Sequence, residues 1–408
     1  MVKEKFFKNR TAIITLISAC LIVGVSMGIR QVFGLFHNFF IVDLDKTISE
    51  YGLAIAIQML VWGLAAPIFG AWADKIGGSK VTIIAFIFFA LGIYLLFSGS
   101  NGTISFQINL GLLIGIGLGG TAISVQVSET SKHFSSEHRS MAAGIVVACA
   151  SVGYFFSPIY THYALSEFGW RETLNSYLYF ILFGIIAGFF LLPVKKLNKS
   201  NYNIEREQTI KEALKEAFSH KGYVLLTLGF FVCGFQITLV SAHIPGYIEH
   251  KGFEQWTAFA ILSLIGVFNI FGTLSFGYLS GKYSKKKLLS ILYSCRGVVM
   301  IIFLLLPAHT YNAMAFGIFF GFLWLSTIPP TNGIIAQIFG TKYLAMLYGI
   351  VFLSHQIGSF YGAYLGGYFF YKFGSYDYAW YISIALSLFA AIVHLPIDEK
   401  PVIRATKI

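Results

Sequence analysis

Arg30 and Arg296 lie inside long apolar stretches in which no Asp or Glu accompanies them. An ionised side chain near the centre of a bilayer costs at least about 2.5–3.5 kcal/mol, so each arginine needs a counter-charge or a set of acceptors. All 18 acidic residues fit loops, tails or helix ends. The missing negative charge is therefore expected to arrive with a ligand, and a small organic anion is the chemistry this implies. Arg30 would sit roughly 9 Å beyond the middle of its stretch at 1.5 Å per residue. A planar guanidinium at that depth suits two-point carboxylate recognition, with snorkelling to the interface as the alternative. Gln58 has a similar depth and is expected to hold the guanidinium. Arg296, nearer the middle of its own stretch, either touches the ligand or supports a neighbouring helix. His355 is the one group titrating near neutral pH expected at mid-depth, which makes it the candidate proton-coupling residue, with Gln356 beside it. Tyr154, Gln236 and Asn269 complete the candidate substrate-binding set.

The elements that must carry these residues follow from composition. The chain has 408 residues, 56% of them hydrophobic and 12% charged, against about 25% charged in a soluble domain. Windows of about 20 apolar residues predict twelve spans, near 12–37, 51–73, 80–98, 104–127, 141–163, 172–193, 222–245, 257–279, 288–307, 312–331, 344–367 and 378–396. Of the 29 Lys and Arg, four fall on one side of this plan (Lys46, Arg171, Lys251 and Lys372), two are the intramembrane arginines, and 23 share the side of the termini. That asymmetry predicts cytoplasmic termini, and it reads the net charge of +11 as topology rather than nucleic-acid affinity. The first stretch is too long for a signal peptide and is read as a retained span. The four cysteines, Cys20, Cys149, Cys233 and Cys295, suggest neither a metal site nor a disulfide framework.

A polar stretch divides the spans six and six. The expected organisation is a half over residues 1–193, a cytoplasmic linker over 194–221 and a second half over 222–408. Within the linker, Ile210, Ala213, Leu214 and Phe218 recur at helical spacing, as an amphipathic helix would require; a solvated linker is the alternative. The halves echo each other. Gly144-Ile-Val, Gly153 and Phe168-Gly169 return as Gly349-Ile-Val, Gly358 and Phe373-Gly374, and Gly70 returns as Gly277. Such repeats point to a transporter whose site lies between the halves, near the midplane.

The loop after span 2 reads Gly70-Ala-Trp-Ala-Asp74-Lys75-Ile-Gly77-Gly-Ser-Lys80. Its glycines permit a tight turn and close helix approach, and its acid can meet a helix N-terminus or a basic side chain. Gly70, Asp74, Gly77 and Lys80 are the candidate gating residues. The pattern resembles the signature loop of the major facilitator superfamily; the second copy, from Gly277 to Lys287, lacks the acid and the second glycine. Gly144-x3-Ala148-Cys149-x3-Gly153-x4-Pro158 and Gly169-Trp170-Arg171 are similar to the monocarboxylate transporters and their bacterial relatives. The resemblance implies a twelve-helix fold of two pseudo-symmetric halves and a basic residue in the outer half of the first helix, where Arg30 stands. It also implies an Asp–Arg pair in helix 8, where this chain has Asn269 and Thr273 instead.

No Gly-x4-Gly-Lys-Ser/Thr phosphate loop, paired metal ligands or nucleophile–base set is present, which argues against ATP-driven transport and against an enzyme. No cofactor is expected. The expectation is a monomeric, multi-pass carrier of a bacterial inner membrane. Its partners would be a small anionic substrate, a coupling proton or counter-anion, and the bilayer. The alternatives are an exporter of another small molecule and a non-transporting metabolite receptor.

Overall fold

The computed structural model describes residues 10–46, 48–99, 102–121, 123–192, 208–253 and 256–403. Among them twelve helices are long and apolar enough to cross a membrane. Span 1 is Arg10–Gln31, span 2 Leu53–Ile76, span 3 Gly78–Phe97 and span 4 Thr103–Ser131. Spans 5 and 6 share one helical run, Arg139–Phe189, broken at Gly169, where φ is 76°. There the chain folds back, since Tyr160 and Thr161 bond Ser176 and Tyr177 at 2.7 and 2.6 Å. Span 7 is Lys221–Ile244, span 8 Ala260–Lys282, span 9 Lys285–Leu305, span 10 Thr310–Phe339, span 11 Leu344–Phe370 and span 12 Asp377–His394. An even number of alternating spans puts both ends of the chain on one side, hereafter the terminus side.

The first helix stops at Gln31, earlier than predicted; the chain continues as a 3-10 turn, Phe33–Phe36, and a short helix, His37–Asp43. Of the expected linker, residues 194–207 lie outside the described ones. Its remainder contains a helix, Ile210–Ser219, opened by a reciprocal cap between Thr209 and Glu212. Ala213 and Ala217 are buried beneath it, and the Phe218 ring meets Tyr223 at 5.8 Å.

In lipid, apolar surface does not drive helices together, so small residues that let backbones approach do much of the joining. Span 2 meets span 11 this way: a methyl built at Gly70 would lie 2.4 Å from the Ala345 carbonyl oxygen, and Gly349 abuts Pro67. Span 8 meets span 5 in the same fashion, with Gly277 against Ser140 and Gly281 against the Glu137 carbonyl. These crossings join the halves from the terminus side to about mid-depth. Beyond that level no glycine among the described residues makes such an approach between the halves. A methyl at Gly266 would meet nothing within 4 Å, while Phe155 and Phe156 of span 5 and Phe360 and Tyr364 of span 11 stand exposed. Among the described residues, the close crossings between the halves thus lie on the terminus side and at mid-depth.

Candidate functional site

Arg30 ends span 1 and faces the middle of spans 2 and 5. Its Nη2 donates to Met59 Sδ at 3.2 Å, a weak acceptor. Its guanidinium carbon lies 5.4 Å from the Trp62 ring centre, and the Tyr154 hydroxyl is within hydrogen-bonding reach. That hydroxyl also donates to Met27 Sδ at 3.5 Å. The Arg30 Nε is buried with no hydrogen-bond partner, and among the described residues no ion pair involves it. A thioether, a phenol and an aromatic face do not satisfy a planar cation with five N–H donors.

Arg296 is fully buried and amply bonded. Span 10 is interrupted between Leu323 and Ile328, ahead of Pro329 and Pro330, whose nitrogens carry no hydrogen. The interruption frees backbone groups that hydrocarbon cannot satisfy. Arg296 answers the carbonyls: Nε donates to Leu323 O at 3.1 Å, and Nη2 donates to Leu323 O at 2.7 Å and to Trp324 O. Asn269 answers the amide, its Oδ1 accepting from Leu325 N at 2.8 Å while its Nδ2 donates to Ser151 at 2.6 Å. Gln236 completes the set, accepting from Arg296 Nη1 at 3.3 Å and donating to Ser383 O at 3.1 Å.

His355 and Gln356 sit mid-way along span 11 on adjoining faces. Gln356 faces the other half, its Nε2 donating to Met59 O at 3.3 Å. His355 turns toward span 7, stacked on Phe352 at 5.3 Å and within reach of the Cys233 thiol. The two side chains touch, Nδ1 to Oε1, at 3.1 Å. Thus His355 connects to the Arg30 region through Gln356 and Met59.

At the terminus side Asp74 is fully buried and joins the halves. Its carboxylate accepts from Met346 N at 2.9 Å and Ala345 N at 3.3 Å, the opening turn of span 11, and pairs with Lys132 at 2.7 Å. Lys132 also pairs with Glu129 at 2.5 Å. Burial disfavours the Lys132 ammonium, but the two carboxylates outweigh it and hold its pKa above the ordinary lysine value. Nearby, Ser131 of one half donates to Asn332 of the other at 3.0 Å.

Residues 14–363 and 270–407 match the family described as Major Facilitator Superfamily. The chain belongs to that superfamily. Relatives agree along most of its length. The uncharacterized MFS-type transporter YcxA of Bacillus subtilis is 25% identical over 79% of this chain and 79% of its own. Monocarboxylate transporter 13 of Rattus norvegicus is 22% identical over 84% and 78%. Among solved structures the fucose:proton symporter FucP of Escherichia coli superposes with a TM-score of 0.73 at 14% identity, covering 94% of this chain and 98% of that one. The molecule is therefore a membrane-embedded secondary transporter that works by alternating access, and a carrier rather than an enzyme.

Set in this superfamily fold, several expected contacts need correction. Gln58 does not hold Arg30; its Nε2 donates to Leu110 O at 2.9 Å, inside a π-helical stretch of span 4, Gln107–Leu113. Gln236 does not face Arg30 across the opening, because Arg296 and span 12 occupy it. Asp74 and Gly70 are not in a loop: the helix runs through Ile76, and the turn comes at Gly77, where φ is 95°. Lys80 is exposed and joins no ion pair among the described residues; Lys132 takes the basic place in the latch. Trp62, Met59, Lys132 and Glu129 were not singled out from sequence. For the last two the signal was there, an acid and a base three apart at the end of span 4. Cys20 and Cys149, distant in sequence, lie within side-chain reach where spans 1 and 5 cross.

Proposed function

We propose that this transporter moves a small organic anion of the monocarboxylate type, in a bacterial inner membrane, as a monomer with both termini cytoplasmic. The observation that carries this reading is Arg30. It is a cation at the end of span 1, facing spans 2 and 5, without an ion-pair partner among the described residues, and its Nε lacks any acceptor. A carboxylate supplies both the charge and the acceptor geometry. The similarity to monocarboxylate transporter 13 supports the same class, and the basic bias of the terminus side supports the orientation.

Coupling is proposed to run through His355, by proton symport, with electroneutral anion exchange at Arg30 as the competing scheme. Under symport the anion and the proton bind and leave as a pair, and release of either partner promotes release of the other. Asp74, Gly70 and Gly77 are proposed to act in the terminus-side gate, away from the substrate. The test is uptake of small carboxylates into proteoliposomes, with and without an imposed pH gradient. Accumulation of a monocarboxylate that Arg30→Gln abolishes supports the reading. Uptake that ignores Arg30, or no uptake of any carboxylate, overturns it.

A further inference from the structure

Two buried donors at the Arg30 site lack acceptors, Arg30 Nε and Trp62 Nε1. Trp62 is 5% exposed, in the middle of span 2, with its ring against Phe352 of span 11 at 5.1 Å. An indole N–H in such a place normally finds a partner, and leaving a buried donor unmade is costly. None of the polar atoms around these two nitrogens accepts from them. The Gln356 amide nitrogen is given to Met59, the His355 Nδ1 to Gln356, and the Tyr154 hydroxyl to Met27. The site therefore lacks acceptors for two donors on side chains in contact, the Arg30 guanidinium carbon lying 5.4 Å from the Trp62 ring centre.

We infer that the Trp62 indole N–H and the Arg30 Nε–H together hold the carboxylate of the transported anion, and that the body of that anion is apolar. This rests on the anion-carrier reading above. A carboxylate offers two oxygens, one for each donor. The apolar neighbours of these donors are Met59 and Phe352; Phe360 and Tyr364 follow Gln356 at one and two helical turns along span 11, their rings stacked at 6.1 Å. A hydroxylated body would leave its own donors and acceptors facing this surface, whereas a flat apolar body matches it. Trp62 also touches both halves, so an anion held on it reports on the crossing of spans 2 and 11.

The test is equilibrium binding of phenylacetate and of glycerate, equal in charge and opposite in body, to the full-length purified transporter. Wild type is expected to bind phenylacetate more tightly than glycerate. Trp62→Phe keeps the ring and removes the N–H, and phenylacetate should weaken roughly tenfold or more while the preference between the two anions persists. Unweakened binding in Trp62→Phe, with binding lost in Arg30→Gln, overturns the paired-donor site and leaves the anion-carrier reading standing. Equal or tighter binding of glycerate overturns the apolar body. Failure of the wild type to bind either anion overturns both readings. Should Trp62→Phe not fold, 5-fluorotryptophan-labelled wild type serves, its Trp62 signal assigned by replacing the other five of the six tryptophans in turn. That signal is expected to shift with phenylacetate; a signal that does not move overturns the proposal.

Discussion

Arg30 and Arg296 are the same residue in comparable stretches of apolar sequence, and among the described residues neither forms an ion pair. Arg296 is saturated by two backbone carbonyls and an amide oxygen. Arg30 has a thioether, a phenol and the face of an indole, and one nitrogen with no partner. The difference originates in a third place, the Pro329–Pro330 interruption of span 10, which releases carbonyls where Arg296 can reach them. Span 1 also ends beside Arg30, at Gln31, but among the described residues Arg30 donates to no backbone carbonyl. An arginine within a span is thus structural where the backbone supplies acceptors, and available to a ligand where it does not.

The largest expected effect falls on Arg30. Arg30→Gln should reduce carboxylate uptake on the order of a hundredfold or more, as for a buried ionic contact that loses one partner, with wild-type thermal unfolding. Arg30→Lys should retain a fraction, since it keeps charge but loses the planar fork. Uptake at the wild-type rate in Arg30→Gln would erase the contrast between the two arginines.

Arg296→Met should act on stability instead. It strands the Leu323 and Trp324 carbonyls, each costing about 1–3 kcal/mol when buried without a donor, and should lower the unfolding temperature in detergent. Asn269→Ala, which releases the Leu325 amide, is expected to cost about the same for one group. Substrate affinity of the fraction that folds should change little in both. A well-folded Arg296→Met protein that no longer binds substrate would move the site to the second half.

His355→Gln sharpens the comparison from the C-terminal half, because the imidazole reaches Arg30 only through Gln356 and Met59. In liposomes with an acid exterior, wild type should concentrate substrate. The variant should lose that response and keep substrate counterflow. A variant that still follows the gradient leaves His355 as a packing residue.

Asp74→Asn has the smallest expected effect on substrate affinity. It removes a charge from the N-terminus of span 11, worth up to about 2 kcal/mol in a sheltered site, and leaves Lys132 paired with Glu129 alone. The balance should move toward the state open on the terminus side, with slower turnover and affinity nearly unchanged. Cysteine accessibility from the two sides measures it, and an unchanged ratio removes Asp74 from the gate.

The spans were legible because a bilayer demands long apolar runs, and the meeting of Asp74 with a helix N-terminus and a base was legible from its charge, although its place within the helix and its burial were not. Arg30 was legible as a charge without a partner. The fate of Arg296 was not, since depth and charge alone leave a buried arginine ambiguous; Pro329-Pro330, read as a source of freed carbonyls, was the missing clue. Gln58 and Gln236 failed for another reason: a polar side chain at the right depth can turn to any of several neighbours, and only packing chooses. Trp62 was hidden among abundant aromatic residues, distinguished only by what its N–H lacks.

One titration weighs the two arginines directly: binding of the same carboxylate, pyruvate or phenylacetate, to wild type, Arg30→Gln and Arg296→Gln, alongside the unfolding temperature of each. The account predicts that Arg30→Gln unfolds like wild type and binds nothing, and that Arg296→Gln unfolds earlier while its folded fraction still binds. Wild-type affinity in Arg30→Gln, with binding lost from a stable Arg296→Gln, would contradict it.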